Sequence, residues 1–263
     1  MNYTVKIQSI SGEQEVDVVL NGITVVCGEN GSGKSALAHA LYEAFHVLDR
    51  ETDEETDEEE IQDAIYTDAA DCFDYSEPRR PSVSRVHLES LCRRDPVIRA
   101  NNKLLQTLKG ILHGEVQVSR YGAGGGIFLR CTDKVKVPWL RMPKGMKAFV
   151  ILYQLIRNAC LTGHTLLIID KPETYLHPRL IVEYARMIVL LRKRFRTRFF
   201  ITTHSPDMVS ALKHIGAKEG ADVQFYLAES QPDGYAYRSL GQDVGPIFKS
   251  FNTALDLIEK YGD

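Results

Sequence analysis

The spacing of apolar residues predicts two N-terminal strands followed by alternating strands and helices. Residues 3–10 and 15–20 alternate polar and apolar side chains around Ser11 and Gly12, as two paired strands do. Further strands, each followed by a segment of helical periodicity, are predicted at 23–27, 165–169 and 198–202. A repeated alternation of strand and helix implies a mostly parallel sheet, so the sequence indicates an α/β fold with N-terminal antiparallel strands.

The remaining elements follow from periodicity and from turn residues. Helices are predicted after Pro206 and over 37–48, 103–112, 146–161, 178–194 and 246–261. Hairpins are predicted over 115–131, with a glycine-rich turn at 122–126, and over 223–239. The stretch 61–113 is expected to be mainly helical, with one short strand at 83–88.

One segment, residues 49–60, is a dense acidic block. Its like charges repel one another and cannot be buried, so it is expected to be an exposed insertion, and a solvated surface is favoured over a specific docking site. Together with the helical stretch that follows, it predicts one domain over 1–263 that carries an acidic and helical insertion at 49–113.

The composition excludes some classes of function without selecting one. The formal net charge is only −3 and hydrophobic residues make up 44% of the chain, which indicates a globular protein without a chain-wide basic field for nucleic acid. The five cysteines are scattered and form no C-x-x-C pair, so reduced thiols are expected. Since neither a signal-like segment nor an apolar run of about 18 residues is present, a cytoplasmic location without membrane contact is expected.

A phosphate-binding loop is the clearest chemical motif. Residues 28–35 read G-E-N-G-S-G-K-S and match G-x-x-x-x-G-K-[ST] between a predicted strand and a predicted helix. In such a loop, backbone N–H groups cradle phosphates, here from Asn30, Gly31, Ser32 and Gly33. Lys34 is expected to reach the terminal phosphates, and the Ser35 hydroxyl to bind Mg²⁺. ATP and Mg²⁺ are therefore the predicted cofactors.

Asp170 is the predicted second ligand of Mg²⁺. It ends the apolar strand 165–169, and a carboxylate at the carboxyl edge of a parallel sheet can share a metal ion with Ser35 and the phosphates. The alternative is a carboxylate that caps the next helix.

Two further segments extend the motif set and carry a family resemblance. Residues 166–178 read LLIIDKPETYLHP and residues 201–206 read ITTHSP. With the phosphate loop, and in this order, they resemble small bacterial AAA-type ATPases with SMC-like and ABC-type heads, whose segments usually read IDEPE-x-x-LHP and TTHSP. The resemblance covers most of the chain and is weakest over 49–113. It implies a P-loop NTPase fold of the ABC and SMC head type.

The resemblance also assigns roles to two further sites. It makes His204 the switch histidine near the γ-phosphate, and it places the signature loop at 141–147, including Lys144 and Gly145. In the family, this loop contacts ATP held by a second subunit, so a homodimer that sandwiches ATP is implied. A separate effector protein such as a nuclease is implied as well, in phage defence or DNA maintenance.

Two lysines depart from the family pattern. Lys171 stands where the family has a glutamate after the Walker B aspartate, and Lys144 stands where the signature usually begins with serine. A protonated lysine cannot accept a proton from water, and loss of a general base costs roughly 10²–10⁴ in rate. Lys171 can instead hold the γ-phosphate, so the sequence predicts an ATPase with weakened turnover. The alternative is a nucleotide-gated scaffold or sensor without useful hydrolysis.

Four secondary hypotheses remain open. Glu173 could replace the missing base, and His177 could either stabilise the turn before Pro178 or act at the nucleotide. The basic run 192–198 favours a solvated helix end over contact with DNA or RNA. A transporter motor is disfavoured, because the usual transporter signature is absent.

Overall fold

The computed structural model describes residues 2–9, 12–46, 60–68, 82–98, 102–119, 126–251 and 261. Glu60 and Gly126 are described, but the rest of the acidic block and of the predicted glycine turn lies outside these ranges. The described strands, in chain order, are β1 Asn2–Ser9, β2 Gly12–Val19, β3 Ile23–Gly28, β4 Asp63–Thr67, β5 Gly114–Val118, β6 Ile127–Cys131, β7 Lys136–Pro138, β8 Thr165–Asp170, β9 Arg198–Thr203, β10 Val223–Gln231 and β11 Gly234–Gly241.

The described helices lie between these strands. They are α1 Lys34–Phe45, α2 Val83–Cys92, α3 Lys103–Leu112, α4 Lys144–Arg157, α5 Pro178–Phe195 and α6 Pro206–Glu219. Short 3₁₀ turns span Trp139–Arg141 and Pro172–Tyr175, and residues 245–251 are helical. None of the helices in the described ranges is long and apolar enough to cross a membrane.

A six-stranded sheet organises the fold, in the order β11-β10-β3-β9-β8-β4. Every neighbouring pair is parallel except β10 and β11, which form an antiparallel hairpin. The N-terminal strands β1 and β2 form an antiparallel hairpin of their own, and β5, β6 and β7 form a small antiparallel sheet. The predicted α/β class with a mostly parallel sheet is confirmed.

The central strands bury both faces, and successive side chains alternate between two hydrophobic cores. Leu166 and Ile168 of β8 pack in a core with α1 and the β1–β2 hairpin. Leu167 and Ile169 of the same strand pack in the larger core on the other face, with α4, α5 and α6. Because side chains in a strand point alternately to opposite faces, a strand in the middle of three layers must be apolar at every position.

Two predictions for residues 61–113 are wrong. The expected strand at 83–88 is part of helix α2, which begins after Ser82, whose hydroxyl accepts a hydrogen bond from the Arg85 N–H. The stretch 63–67, expected to be helical, is instead strand β4, paired in parallel with β8 at the edge of the main sheet. Short apolar runs do not distinguish strand from helix, and the pairing partner lies about 100 residues further along the chain. The boundaries of an insertion at 49–113 remain a prediction.

Candidate functional site

The phosphate loop connects β3 to α1, and its glycines meet a demanding local geometry. Gly31 and Gly33 both have φ of 81°, in the left-handed region that disfavours other residues. A Cβ at Gly28 would lie 2.1 Å from the carbonyl oxygen of Ala228 in β10, so this position tolerates only a hydrogen. Around Gly31, by contrast, no atom lies within 4 Å of a Cβ position, so the turn has open space beside it.

The β10–β11 hairpin supports the loop from the side. The Tyr237 hydroxyl donates a hydrogen bond of 2.9 Å to the Gly33 carbonyl. A Cβ at Gly33 would lie 2.5 Å from both the Tyr237 hydroxyl and Cγ of Tyr235. Residues about 200 positions away in the sequence therefore help to hold the loop geometry. A local motif match does not identify these supporting residues.

Lys34 is buried at the first position of α1, and its ammonium group folds back onto the loop. Its Nζ donates to the carbonyl oxygens of Gly28 at 2.9 Å and Glu29 at 2.6 Å, and to the Ser32 hydroxyl at 3.1 Å. The pKa of Lys34 is lowered to about 8, mainly by burial and also by the nearby Lys171, against the opposing effect of Asp170. These carbonyl oxygens therefore accept the hydrogen bonds of Lys34 Nζ that the phosphate oxygens of ATP would accept on binding.

The other predicted loop residues differ in exposure. Asn30 is exposed, Ser32 is buried, and Ser35 is half-buried in the first turn of α1. Since Ser32 accepts from Lys34, its hydroxyl helps to hold the lysine as well as the loop.

Asp170 is held by two hydroxyl groups from neighbouring strands. Tyr66 of β4 donates to one carboxylate oxygen at 3.0 Å, and Thr202 of β9 donates to the other. An ionised carboxylate has about four acceptor positions, so each oxygen retains capacity for a cation or water. Tyr66 was missed by sequence reasoning because β4 was not predicted, whereas Thr202 lies in the identified ITTHSP segment.

Lys171 directly follows Asp170 in an unusual backbone conformation. Its φ of 51° is left-handed, and its N–H donates to the Thr202 carbonyl oxygen at 3.0 Å. Burial is the main cause of the lowered pKa of Lys34 and of His204, and the positive charge of Lys171 lowers both further. Lys171 therefore acts electrostatically on both of these groups.

Glu173 and His204 form a contact that fixes the direction of the glutamate. One Glu173 carboxylate oxygen accepts the His204 N–H at 2.7 Å, while the other is buried and has no hydrogen-bond partner among the described residues. Burial raises the pKa of Glu173, and the hydrogen bond from His204 opposes this rise. The sequence left the direction of this side chain open, and the structure turns it onto the backbone of His204.

The His204 ring links the switch segment to the phosphate loop. Its Nδ1 lies 2.9 Å from the Gly28 carbonyl oxygen, which can only accept, so Nδ1 carries a proton. Burial lowers the pKa of His204, and Lys34 lowers it further. The neutral ring then presents Nε2 as an acceptor, and this buried atom has no hydrogen-bond partner within the described ranges.

The two predicted signature residues lie beside the 3₁₀ turn that follows Walker B. Lys144 Nζ donates to the Tyr175 hydroxyl at 3.2 Å and lies 4.4 Å from the centre of that ring. A Cβ at Gly145 would lie 2.6 Å from the Tyr175 carbonyl oxygen, so helix α4 begins in close contact with this turn. Lys144 and Tyr175 are both exposed.

The secondary hypotheses are partly resolved. His177 is the N-cap of α5, where its Nδ1 accepts the Arg179 N–H at 3.3 Å, in keeping with a turn-stabilising role. In the basic run, three of the five cations have partners within the chain: Arg192 donates to Asn21 O, Lys193 pairs with Glu219, and Arg198 donates to Gly163 O. This pattern favours the structural explanation and leaves Arg194 and Arg196 for any nucleic-acid contact.

The residues present fit a magnesium nucleotide. The open space at Gly31 and the inward Lys34 suit phosphate oxygens, and Asp170 keeps acceptor positions for a cation. Within the described ranges, the unpartnered His204 Nε2 is an acceptor and suits a water molecule rather than a phosphate oxygen. Ser35, one turn from the loop, supplies the hydroxyl that the motif assigns to Mg²⁺.

Comparison with known proteins gives one family match and several similar folds. Residues 81–210, just under half of the chain, match the family model described as "AAA domain, putative AbiEii toxin, Type IV TA system". A comparison with curated proteins gives no match.

The similar solved structures include SMC head domains. The SMC head domain from Thermotoga maritima matches with a TM-score of 0.52 at 13% identity, over 91% of this chain and 98% of that chain. The Smc head with an extended coiled coil from Pyrococcus furiosus, bound to the C-terminal domain of ScpA, matches with a TM-score of 0.56 at 12% identity over 100% of both chains. At such identities the likeness establishes the fold alone.

Proposed function

We propose that this chain, which matches an AAA-domain family model over residues 81–210 and has the fold of SMC heads, binds ATP with Mg²⁺, dimerises around the nucleotide and hydrolyses it slowly. The closed dimer then controls a separate effector protein. The observation that carries this proposal is Lys171, a positive charge at the phosphate site where the resembling family has a glutamate.

Tight binding follows from the charges that meet at the loop. Lys34 and Lys171 each bring an ammonium group toward the position of the terminal phosphates, and the α1 N-terminus adds its dipole. Asp170 and Ser35 are the residues that would hold Mg²⁺, which supplies further positive charge to the phosphates. This set of groups favours the triphosphate over the diphosphate, since the charge on the γ-phosphate is then compensated.

Slow hydrolysis follows from the choice of base. Lys171 stabilises the bound triphosphate but cannot take a proton from water, and binding that is equally strong in the ground state does not raise turnover. Glu173 is the remaining carboxylate, with one oxygen on the His204 N–H and the other unpartnered in the described part of the chain. We assign it the role of residual base, two positions away from the usual one.

The proposed dimer surface includes the signature residues. Lys144 and Tyr175 are exposed in mutual contact, and the large apolar side chains of Leu140 and Val182 are also exposed, at 66% and 46%. The N-terminus of α4 lies at Lys144, where a second copy could present the phosphates of its own ATP. The family resemblance motivates this arrangement.

An effector partner and a defence role are the least direct parts of the proposal. The family description names a putative AbiEii toxin and a toxin–antitoxin system, and the Pyrococcus furiosus Smc head is bound to a domain of another protein. We infer that this head likewise transmits its nucleotide state to a partner, in antiphage defence or DNA maintenance.

The decisive experiment measures steady-state ATP turnover of the wild type, Lys171→Glu and Lys171→Gln. We expect wild-type turnover well below 1 s⁻¹ and a rise of roughly 10²-fold in Lys171→Glu, because general bases contribute 10²–10⁴. Lys171→Gln removes the charge without adding a base and should stay slow. A wild-type rate of order 1 s⁻¹, or no acceleration in Lys171→Glu, would overturn the explanation.

Two further measurements separate the slow ATPase from a pure nucleotide sensor, which Lys171 also favours. If Glu173 is the residual base, Glu173→Gln abolishes the slow wild-type turnover while ATP still binds. If wild-type turnover is already at background, the sensor is the better description.

Light scattering with Mg²⁺ and ATP tests the dimer, and we expect Lys144→Glu to keep the protein monomeric.

A further inference from the structure

A second cluster of metal-binding side chains lies away from the phosphate loop. His46 follows the last residue of α1, Asp63 begins β4, and His87 lies in α2. One ligand atom from each residue lies within 4.8 Å of those from the other two. The three residues come from three separate elements, so the cluster exists only in the folded chain.

The distances within the cluster are longer than those around a bound ion but within reach of them. His46 Nδ1 lies 3.6 Å from one Asp63 carboxylate oxygen, and His87 Nε2 lies 3.7 Å from the other. Ligand bonds of about 2.0–2.1 Å in a tetrahedral site place neighbouring ligand atoms about 3.3 Å apart. Since the ligand atoms, one from each residue, lie within 4.8 Å of one another, some of them would have to approach by up to about 1.5 Å to close around one ion.

Three of the four histidine ring nitrogens have no hydrogen-bond partner in the described structure. The His46 side chain is only 8% exposed, and neither of its ring nitrogens makes a hydrogen bond to the described residues. His87 Nδ1 is likewise buried without a partner. An unpaired buried ring nitrogen costs free energy, and coordination of a cation through His46 Nδ1 would satisfy that atom.

The surrounding rings hold the two imidazoles in position. The His46 and His87 ring centres lie 4.1 Å apart, and Tyr42 stacks on His46 with centres 4.7 Å apart. Because the rings are packed, the ligands would not need to be ordered by the ion, which favours binding. The Asp63 side chain is 42% exposed and leaves the site open to solvent on one side.

We propose that His46, Asp63 and His87 bind a divalent transition-metal ion of the zinc class, with water in the remaining position. Two imidazoles and one carboxylate match the preferences of Zn²⁺ and Co²⁺ rather than those of Mg²⁺ or Ca²⁺, which select oxygen ligands. The site is thus chemically distinct from the magnesium position assigned to Ser35 and Asp170.

The ion would brace two elements that build the nucleotide site. Helix α1 begins at Lys34 and ends beside His46, and β4 begins at Asp63 and carries Tyr66, which donates to Asp170. A metal joining His46 to Asp63 would fix the far ends of both elements. Its primary role is structural, and it does not depend on the proposed ATPase cycle.

The test uses the full chain after treatment with EDTA and removal of the chelator. Co²⁺ is titrated as a spectroscopic probe, and Zn²⁺ binding is followed by its displacement of Co²⁺. We expect one Co²⁺ per chain with the intense visible bands of a four-coordinate site. Zn²⁺ at 100 times its Kd should raise Tm by roughly 5–10 °C.

Variants identify the ligands. His46→Ala and the milder Asp63→Asn should each weaken Co²⁺ binding by about 100-fold or more, whereas His214→Ala, which removes an exposed histidine of α6, should bind as the wild type does. If His46→Ala does not fold, His87→Gln provides the same comparison. Absence of stoichiometric Co²⁺ binding, or binding that survives these ligand changes because acidic residues elsewhere hold the ion, would overturn the proposal.

Discussion

ATP affinity is expected to fall as pH rises above 8, because Lys34 must be charged to hold phosphate. The pKa of Lys34 is about 8, lowered from 10.5 mainly by burial. The negative charge of a bound triphosphate beside Nζ raises this pKa again. Binding well above pH 8 is therefore coupled to the uptake of one proton, so affinity is nearly fully present at about pH 7 and is lost as pH rises through 8.

The size of the effect follows from the fraction of uncharged lysine. With a pKa of about 8, Lys34 is about 10% neutral at pH 7, about half neutral at pH 8 and about 90% neutral at pH 9. The Kd for ATP should therefore rise by about tenfold between pH 7 and pH 9. His204 has a pKa below its usual 6.5 and Cys27 has one of about 11, so neither accounts for a change in this window.

Calorimetry tests the coupling directly. Titrations with Mg²⁺ and ATP in two buffers of different ionisation enthalpy should show uptake of about half a proton at pH 8 and of little at pH 7. Lys34→Met, the matched control, should bind more weakly and without the pH dependence. A Kd that is constant from pH 7 to pH 9, or the same slope in Lys34→Met, would refute the reasoning.

Two further predictions concern stability without nucleotide, measured by chemical denaturation. Gly33→Ala should cost about 2–4 kcal/mol, because its φ of 81° is strained for alanine and its Cβ would contact two tyrosines of β11 at 2.5 Å. Gly31 has the same φ, but its Cβ would enter open space, so Gly31→Ala should cost only about 1–2 kcal/mol. Equal losses of stability in the two variants would contradict the predicted steric clash at Gly33. Tyr66→Phe should cost about 1.5–3 kcal/mol by removing a donor to the Asp170 carboxylate. The control Tyr226→Phe removes a hydrogen bond between neutral groups and should cost about 0.5–1.5 kcal/mol. If Tyr66→Phe loses no more stability than this control, the hydrogen bond from Tyr66 to a charged Asp170 carboxylate is contradicted.

Much of the fold could be predicted from the sequence because its signals are local. The helix Lys103–Leu112 was predicted with the bounds that the structure has. Its apolar spacing indicates the helix, and the stop signal that follows marks its end. The continuous apolar run of β8 likewise indicated a strand buried on both faces. Strand β4 was missed because five residues carry too little periodicity, and its pairing with β8 is a long-range property.

The local phosphate motif was recognisable for the same reason. Strand, loop and helix are contiguous from residue 23 to residue 45, and the glycines, lysine and serine that define the motif lie within eight adjacent positions. The roles assigned to Lys144 and Gly145 rest on a family resemblance, and they stay predictions until a second copy is shown to bind there.

The sequence by itself determined the class of sheet, the phosphate loop and the departure at Lys171, since each is written in adjacent residues. Only the tertiary structure decided which groups surround Asp170, where the Glu173 carboxylate points, and that His46 meets Asp63 and His87. These contacts depend on strand order and register between segments far apart in the chain. Because side-chain chemistry acts over a few ångströms, the long-range pairing of β4 with β8 decides which residues can act together.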